Sequence, residues 1–173
     1  MSELAKLVEA ARRGERDAMA KLHDDFAPMV HAIALARVSP SEAQDVVQDT
    51  FVQAITRLAT LRDPDAFGGW LATIARNRAM SGLRQRRRVV TPLDEQRHGV
   101  GASATASAPQ ALQARRALEA IHSLPAAYHE TLIMRLVEGM TSDEIAERTG
   151  LTPKSVRVNV HRGLRMLREV LQS

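Results

Sequence analysis

Four of the five positions from 84 to 88 are arginine: Arg84, Arg86, Arg87 and Arg88 close the stretch WLATIARNRAMSGLRQRRR at residues 70–88. Guanidinium groups at that density suit a polyanion, because each offers a planar fork of donors to phosphate oxygens. A helix C-terminus also favours cations, which accounts for part of the cluster, but the density exceeds that need. A second basic set lies in TPKSVRVNVHRGLRMLREVLQS, where residues 153–173 hold five basic side chains against one acidic. A third set has the opposite sign. Glu42, Asp45 and Asp49 follow at spacings of three and four, with Gln48 beside them. Phosphate would repel such a ridge, whereas a basic protein surface would attract it. On charge alone a solvated face is the simpler reading.

The elements that carry these groups are helical. Ser39-Pro40-Ser41-Glu42 is a helix start, with Ser39 as cap, Pro40 in the first turn and Glu42 closing a capping box. The helix it opens has Val47, Phe51, Ala54, Ile55 and Leu58 as its predicted buried stripe. Upstream, Ser2 caps a first helix with Leu4, Leu7, Val8 and Ala11 on one face. A second follows Gly14, and Pro28 inside it predicts a kink or a restart. LRDPDAFGG at 61–69 reads as a turn-rich loop, and Trp70 opens the next helix. Residues 89–109, rich in Ala, Ser, Thr and Gly, lose all periodicity and read as a flexible linker. Helical patterns return from Gln110, and no alternating apolar run argues for a strand. The expected fold is all-α: two small helical domains, 1–88 and 110–173, joined by that linker.

The last segment has a grammar of its own. Thr141 and Glu144 form a capping box, Ile145 and Ala146 face inward, and Gly150 supplies a turn at positive φ. Leu151 packs under the turn, Thr152 caps the next helix, and Pro153 takes its first position. This is the outline of a helix-turn-helix. In the second helix Val156, Val160, Leu164 and Leu167 form the apolar stripe. Lys154, Ser155, Arg157, Val158, His161, Arg162 and Arg165 are the candidate DNA contacts, the first turns at base edges and the later arginines on phosphates. An ordinary surface helix with a solvated basic face is the plain alternative.

Composition excludes several classes. The chain has 173 residues, a net charge of +4 and no cysteine, so disulfides, thiol catalysis and Cys-ligated zinc are ruled out. Twenty-one of the 24 basic residues are arginine and only five residues are aromatic, so the core must come from Leu, Val, Ile, Met and Ala. There is no Gly-rich phosphate loop and no nucleophile motif. The six histidines are scattered; His122 and His129 can meet across adjacent turns, but no metal site or cofactor is expected. The N-terminus is a charged amphipathic helix rather than a signal peptide, and no apolar run approaches a membrane span, so a cytoplasmic, non-inserted protein is expected.

The order DVVQDTF, LRDPDAFGGWLATIARNRA, RQRRR, linker and helix-turn-helix resembles the sigma factors of the extracytoplasmic-function (ECF) class of the sigma-70 family, over nearly the whole chain. The resemblance implies a non-enzymatic protein that directs core RNA polymerase to promoters. It implies that 1–88 (region 2) binds the polymerase clamp helices and the minus-ten element. It implies that 110–173 (region 4) binds the minus-thirty-five element and the flap. On that carry-over Glu42, Asp45, Val46, Gln48 and Asp49 take polymerase. The loop with Arg62, Asp63 and Asp65 captures a flipped base, and Arg76, Asn77, Arg78, Arg84, Arg86, Arg87 and Arg88 take the minus-ten strand. Trp70 and Phe51 are expected to pack rather than touch a partner. An anti-sigma partner is expected by family habit. Gly68-Gly69 predicts a permissive, mobile loop end. The other reading of the residues is a stand-alone helix-turn-helix regulator of the LuxR kind.

Overall fold

The computed structural model describes residues 1–89 and 108–173, with the side chains of 86–89 outside the described set. Within these residues the chain forms α1 (Glu3–Arg12), α2 (Arg16–Leu35), α3 (Pro40–Arg57), α4 (Phe67–Val89), α5 (Ala108–His122), α6 (His129–Leu136), α7 (Ser142–Thr149) and α8 (Pro153–Gln172). Short 3-10 turns lie at Leu58–Thr60, Pro64–Ala66 and Ala126–Tyr128. No strand occurs among the described residues, and none of their helices is long and apolar enough to cross a membrane. The fold is all-α. Helix reaches both ends of the expected 89–109 linker, since α4 runs to Val89 and α5 begins at Ala108; residues 90–107 lie outside the described residues.

Local chemistry sets the boundaries. The Ser2 hydroxyl accepts from the Ala5 N–H at 2.9 Å and so satisfies a donor of the first turn of α1. The Glu42 carboxylate accepts from the Ser39 N–H at 2.9 Å and from its hydroxyl at 2.6 Å, closing the start of α3. At α7 the box is reciprocal: the Glu144 N–H donates to Thr141 at 3.2 Å and the Thr141 N–H to Glu144 at 2.7 Å. Those hydrogen bonds hold the Glu144 carboxyl below its ordinary value, the backbone N–H of Thr141 contributing most. Gly150 ends α7 at φ +75°, and Thr152 caps α8 by accepting from the Ser155 N–H at 3.2 Å.

Four local expectations change. Pro28 does not restart the helix: α2 is continuous over Arg16–Leu35. Helix α4 starts at Phe67 rather than Trp70, so Gly68 and Gly69 are helical and not a loose loop end. Ile55 is 51% exposed, because the buried stripe of α3 runs instead through Ala43, Val46, Val47, Thr50, Phe51 and Ala54. Leu151 is 43% exposed; the turn is closed by Thr149, whose hydroxyl accepts from the Leu151 N–H at 3.2 Å.

In the first half α2 is the central helix, with α1, α3 and α4 packed on it through Phe26, Met29, Ile33 and Leu71. In the second half α6 is central, with α5, α7 and α8 around Ile121, Leu132, Met134 and Val156. Helix α8 crosses α6 closely at Gly163, where a Cβ would stand 2.9 Å from the Leu132 side chain. The two halves then pack on each other, α2 against α6 and α7, and α4 against α7, in one continuous buried cluster.

Gly68 marks the tightest point of that contact. A Cβ there would lie 2.0 Å from the Arg148 carbonyl oxygen at the end of α7, and 3.1 Å from the Phe26 ring. Pro28 contributes from the other side. It has no N–H for the carbonyl one turn back, and the neighbouring Asp25 carbonyl accepts from Arg148 Nε at 3.0 Å. Within a helix, alanine is favoured over glycine by about 1 kcal/mol. Gly68→Ala should therefore help the isolated first half while costing the closed packing ~1–3 kcal/mol through overpacking. Small-angle scattering should show a larger radius of gyration for this variant; an unchanged radius with an unchanged unfolding midpoint would remove Gly68 from the contact.

Candidate nucleic-acid interface

The acidic ridge on α3 is a mixed surface. Asp45, Gln48 and Asp49 are exposed, and the same face continues into Val52 at 63% and Ile55 at 51% exposure. Carboxylates bordered by uncovered aliphatic side chains suit a protein partner better than water. An apolar cleft lined by Met19, Leu22, His23, Phe51, Ala54 and Phe67 adjoins it. Val46 does not belong to this surface: at 8% exposure it points into the core, which removes it from the sequence-predicted contacts. Glu42 is half-buried and engaged in the α3 cap.

The loop at 61–67 hangs between two buried anchors, Leu61 and Phe67, with Arg62, Asp63 and Asp65 exposed between them. The Phe67 ring meets Phe26 edge-on at 5.0 Å and Trp70 at 5.8 Å, so Trp70 packs, as expected. On α4, Asn77 and Arg84 are exposed. Arg78 donates to Asp49 at 2.7 Å, which ties a predicted strand contact to the acidic ridge of α3. The side chains of Arg86, Arg87 and Arg88 lie outside the described residues.

On α8, Val156, Val160, Gly163 and Leu167 are buried and Leu164 is half-buried. Lys154, Ser155, Arg157, Val158, His161, Arg162 and Arg165 are all exposed. Lys154, Val158, His161 and Arg165 follow at helical spacing and make one outward stripe. Ser155 is partly committed, because its hydroxyl accepts from Thr152 at 2.8 Å. Arg157 reaches across the turn to Asp143 of α7 at 2.9 Å.

Arg76 is not free for a strand. Its Nε and Nη2 donate to the two oxygens of Glu130 on α6, at 2.9 and 2.8 Å. Arg37 at the end of α2 joins the same carboxylate at 2.7 Å. Burial pushes the Glu130 carboxyl up, but the hydrogen bond from Arg76 and the charges of both arginines outweigh it and hold the carboxyl below its ordinary value. The same bond raises Arg76. His31 of α2 pairs with Glu138 beyond α6, and the His122 ring meets the Leu35 carbonyl at 2.9 Å. Arg148 sits over the Phe26 ring at 5.2 Å. None of these partners was a candidate from sequence: Glu130 lies 54 residues from Arg76, and no local spacing signals such a pair. His122 and His129 do meet, with ring centroids 5.4 Å apart. No group of three or more His, Asp or Glu able to hold a metal occurs among the described residues.

Comparison with known proteins agrees with this layout. Residues 22–89 match the family described as Sigma-70 region 2, and residues 114–167 match Sigma-70, region 4. The chain is 32% identical over 166 residues to the RNA polymerase sigma factor CarQ of Myxococcus xanthus, covering 95% of each chain. It is 30% identical to the ECF RNA polymerase sigma factor SigD of Mycobacterium tuberculosis, covering 96% of this chain and 82% of that one. Among solved structures, CnrH in complex with the cytosolic domain of CnrY superposes with a TM-score of 0.65 at 24% identity, over 99% of this chain and 98% of that one; at that identity the likeness concerns the fold.

The Glu130 cluster carries a pH signature. A carboxyl held below its ordinary value of 4.5 favours the closed packing fully above that value, and its contribution is lost as pH falls through the lowered one. The wild-type chain should therefore open in acid before it unfolds. Glu130→Gln should already be weakened at neutral pH by ~1–3 kcal/mol, a figure discounted because Arg76 is a third exposed, and should lose the acid step. Scattering or amide exchange against pH checks this; parallel curves for the two proteins would dismiss the role of Glu130.

Proposed function

The chain belongs to the ECF class of the sigma-70 family of RNA polymerase sigma factors, proteins that direct RNA polymerase to promoters, and from that premise we propose a division of labour among its surfaces. The α3 stripe of Asp45, Gln48, Asp49, Val52 and Ile55 docks on the polymerase clamp. The 61–67 loop and α4, through Arg62, Asp63, Asp65, Asn77, Arg78, Arg84 and the arginines after it, take the opened minus-ten region. Helix α8 reads the minus-thirty-five element. Residues 1–88 and 110–173 are the two binding domains, and the segment between them lets them reach both elements. The protein carries out no catalysis itself and works in the cytoplasm.

The observation that supports this most is the separation of surfaces. Uncovered apolar and acidic groups share one face of α3, while the basic groups of α4 and α8 lie on other elements. A stand-alone regulator has no use for the α3 face, and the relatives give that reading no support.

Promoter use also requires the halves to part. Arg76 cannot hold phosphate while its donors are on Glu130, and region 4 sits against the start of α4. An anti-sigma factor is the further partner that family membership implies. CnrH, whose fold is similar, was solved with the cytosolic domain of CnrY bound.

Reconstituted transcription tests the whole reading. Core polymerase with a promoter library should give specific starts only when this protein is added. Asp45→Arg should lower affinity for core at least tenfold, since it places a cation on a docking face and breaks no described ion pair. Arg157→Ala should weaken upstream-element binding by roughly 1–3 kcal/mol and relax base choice there. Core affinity unchanged in the first variant, or upstream preference unchanged in the second, would strike that residue from its site.

A further inference from the structure

We infer that α1 is part of the promoter-reading apparatus: Arg12 and Ser2 are positioning residues that fix the 61–67 loop in its reading shape. The inference rests on the proposal that this loop captures a base. Arg12 Nε donates to the Leu58 carbonyl at 3.2 Å, and its Nη2 donates to the Leu61 carbonyl. Its third nitrogen, Nη1, is held by the Glu9 carboxylate one turn earlier in α1. The guanidinium is thus oriented from both sides, and its side chain keeps only 22% exposure. The carbonyls it reaches follow the end of α3, where a cation is favoured, and the Leu58 carbonyl also accepts from the Leu61 N–H at 3.3 Å. One side chain of α1 therefore sets how the chain leaves α3 and enters the loop.

Ser2 acts at the other end. Its oxygen accepts from the Ala5 N–H, which turns the hydroxyl hydrogen outward, and that hydrogen goes to Asp65 Oδ1. The Asp65 N–H in turn donates to Asp63 Oδ1 at 3.0 Å. The Asp65 side chain is thus held from Ser2, and the Asp63 side chain by the loop's own backbone. Leu61 and Phe67 bury the loop's ends, but neither orients the polar groups between them. Among the described residues the hydrogen bonds that do so come from α1 and from the loop itself. A base-capturing loop must offer its polar groups at fixed positions, because a flipped base is recognised by hydrogen bonds and a loose acceptor discriminates poorly.

A purely structural role for α1 would lower activity on every promoter alike, so the decisive quantity is base preference. Holoenzyme reconstituted from core polymerase and the full chain is offered promoter duplexes randomised across the minus-ten element, and the duplexes captured as open complexes are sequenced. The double variant Asp63→Ala/Asp65→Ala identifies the position that the loop reads. Ser2→Ala and Arg12→Ala should each reduce preference at that same position, by about three- to tenfold, while preference at the upstream element and affinity for core stay as in the wild type. If the double variant keeps every preference, the base-capture reading itself fails. If the double variant loses one and Ser2→Ala keeps it, with Arg12→Ala either unchanged or unfolded, the bracing role of α1 is overturned. Ser2 is exposed, so its variant reports on the loop even if Arg12→Ala does not fold.

Discussion

A carboxylate taken largely out of water must be matched by cations, and in this fold Glu130 is matched by two arginines from the other half of the chain. Its side chain is 19% exposed, and every oxygen lone pair that Arg76 and Arg37 occupy is one that solvent cannot. Removing Glu130 would leave Arg76 and Arg37 facing each other with no anion between them, whereas removing one arginine leaves the other on the carboxylate. The closed packing and the state of Arg76 are therefore one property. When the halves touch, Arg76 holds a carboxylate in the two-pronged geometry that guanidinium also uses for phosphate. When they part, the same fork is released next to Asn77 and Arg78.

The rest of the contact fits around that constraint with little tolerance. Pro28 leaves α2 one N–H short, and the neighbouring Asp25 carbonyl takes Arg148. Gly68 lacks the Cβ that would collide with the Arg148 carbonyl. A proline and a glycine that would each weaken a helix in isolation are thus both consistent with a surface that another helix must approach. Their cost is set against burial shared between the halves, not within one of them.

The contrast with sequence is instructive because it divides by distance along the chain. The caps at Ser2, Ser39, Thr141 and Thr152, the turn at Gly150 and the outward stripe of α8 are all settled within a few residues, and each is where spacing puts it. Ile55 and Val46 exchanged places because both lie at the edge of a helical stripe, and the side that closes depends on where α2 and α4 approach α3. Gly68-Gly69 reads as looseness in one dimension and is close packing in three. The Glu130 cluster could not be read at all: its members come from α4, α6 and the residues just after α2, and nothing in any one segment marks them as partners.

Helix α3 carries two obligations that meet at Asp49. Its carboxylate belongs to the exposed acidic stripe, yet it also holds Arg78 of the neighbouring helix at 2.7 Å. Both side chains are substantially exposed, so the pair itself adds little stability. Its importance is geometric. A protein surface that covers Asp49 also excludes water from Arg78, and electrostatic interactions strengthen as water is excluded. Loss of the Asp49 charge would change the field on α4 as well as on the exposed face of α3, so its effects cannot be assigned to one surface. Asp45, one turn earlier and with no described bond to α4, has no such double role. Among the described residues, the two faces of this half are therefore joined through the Asp49–Arg78 pair.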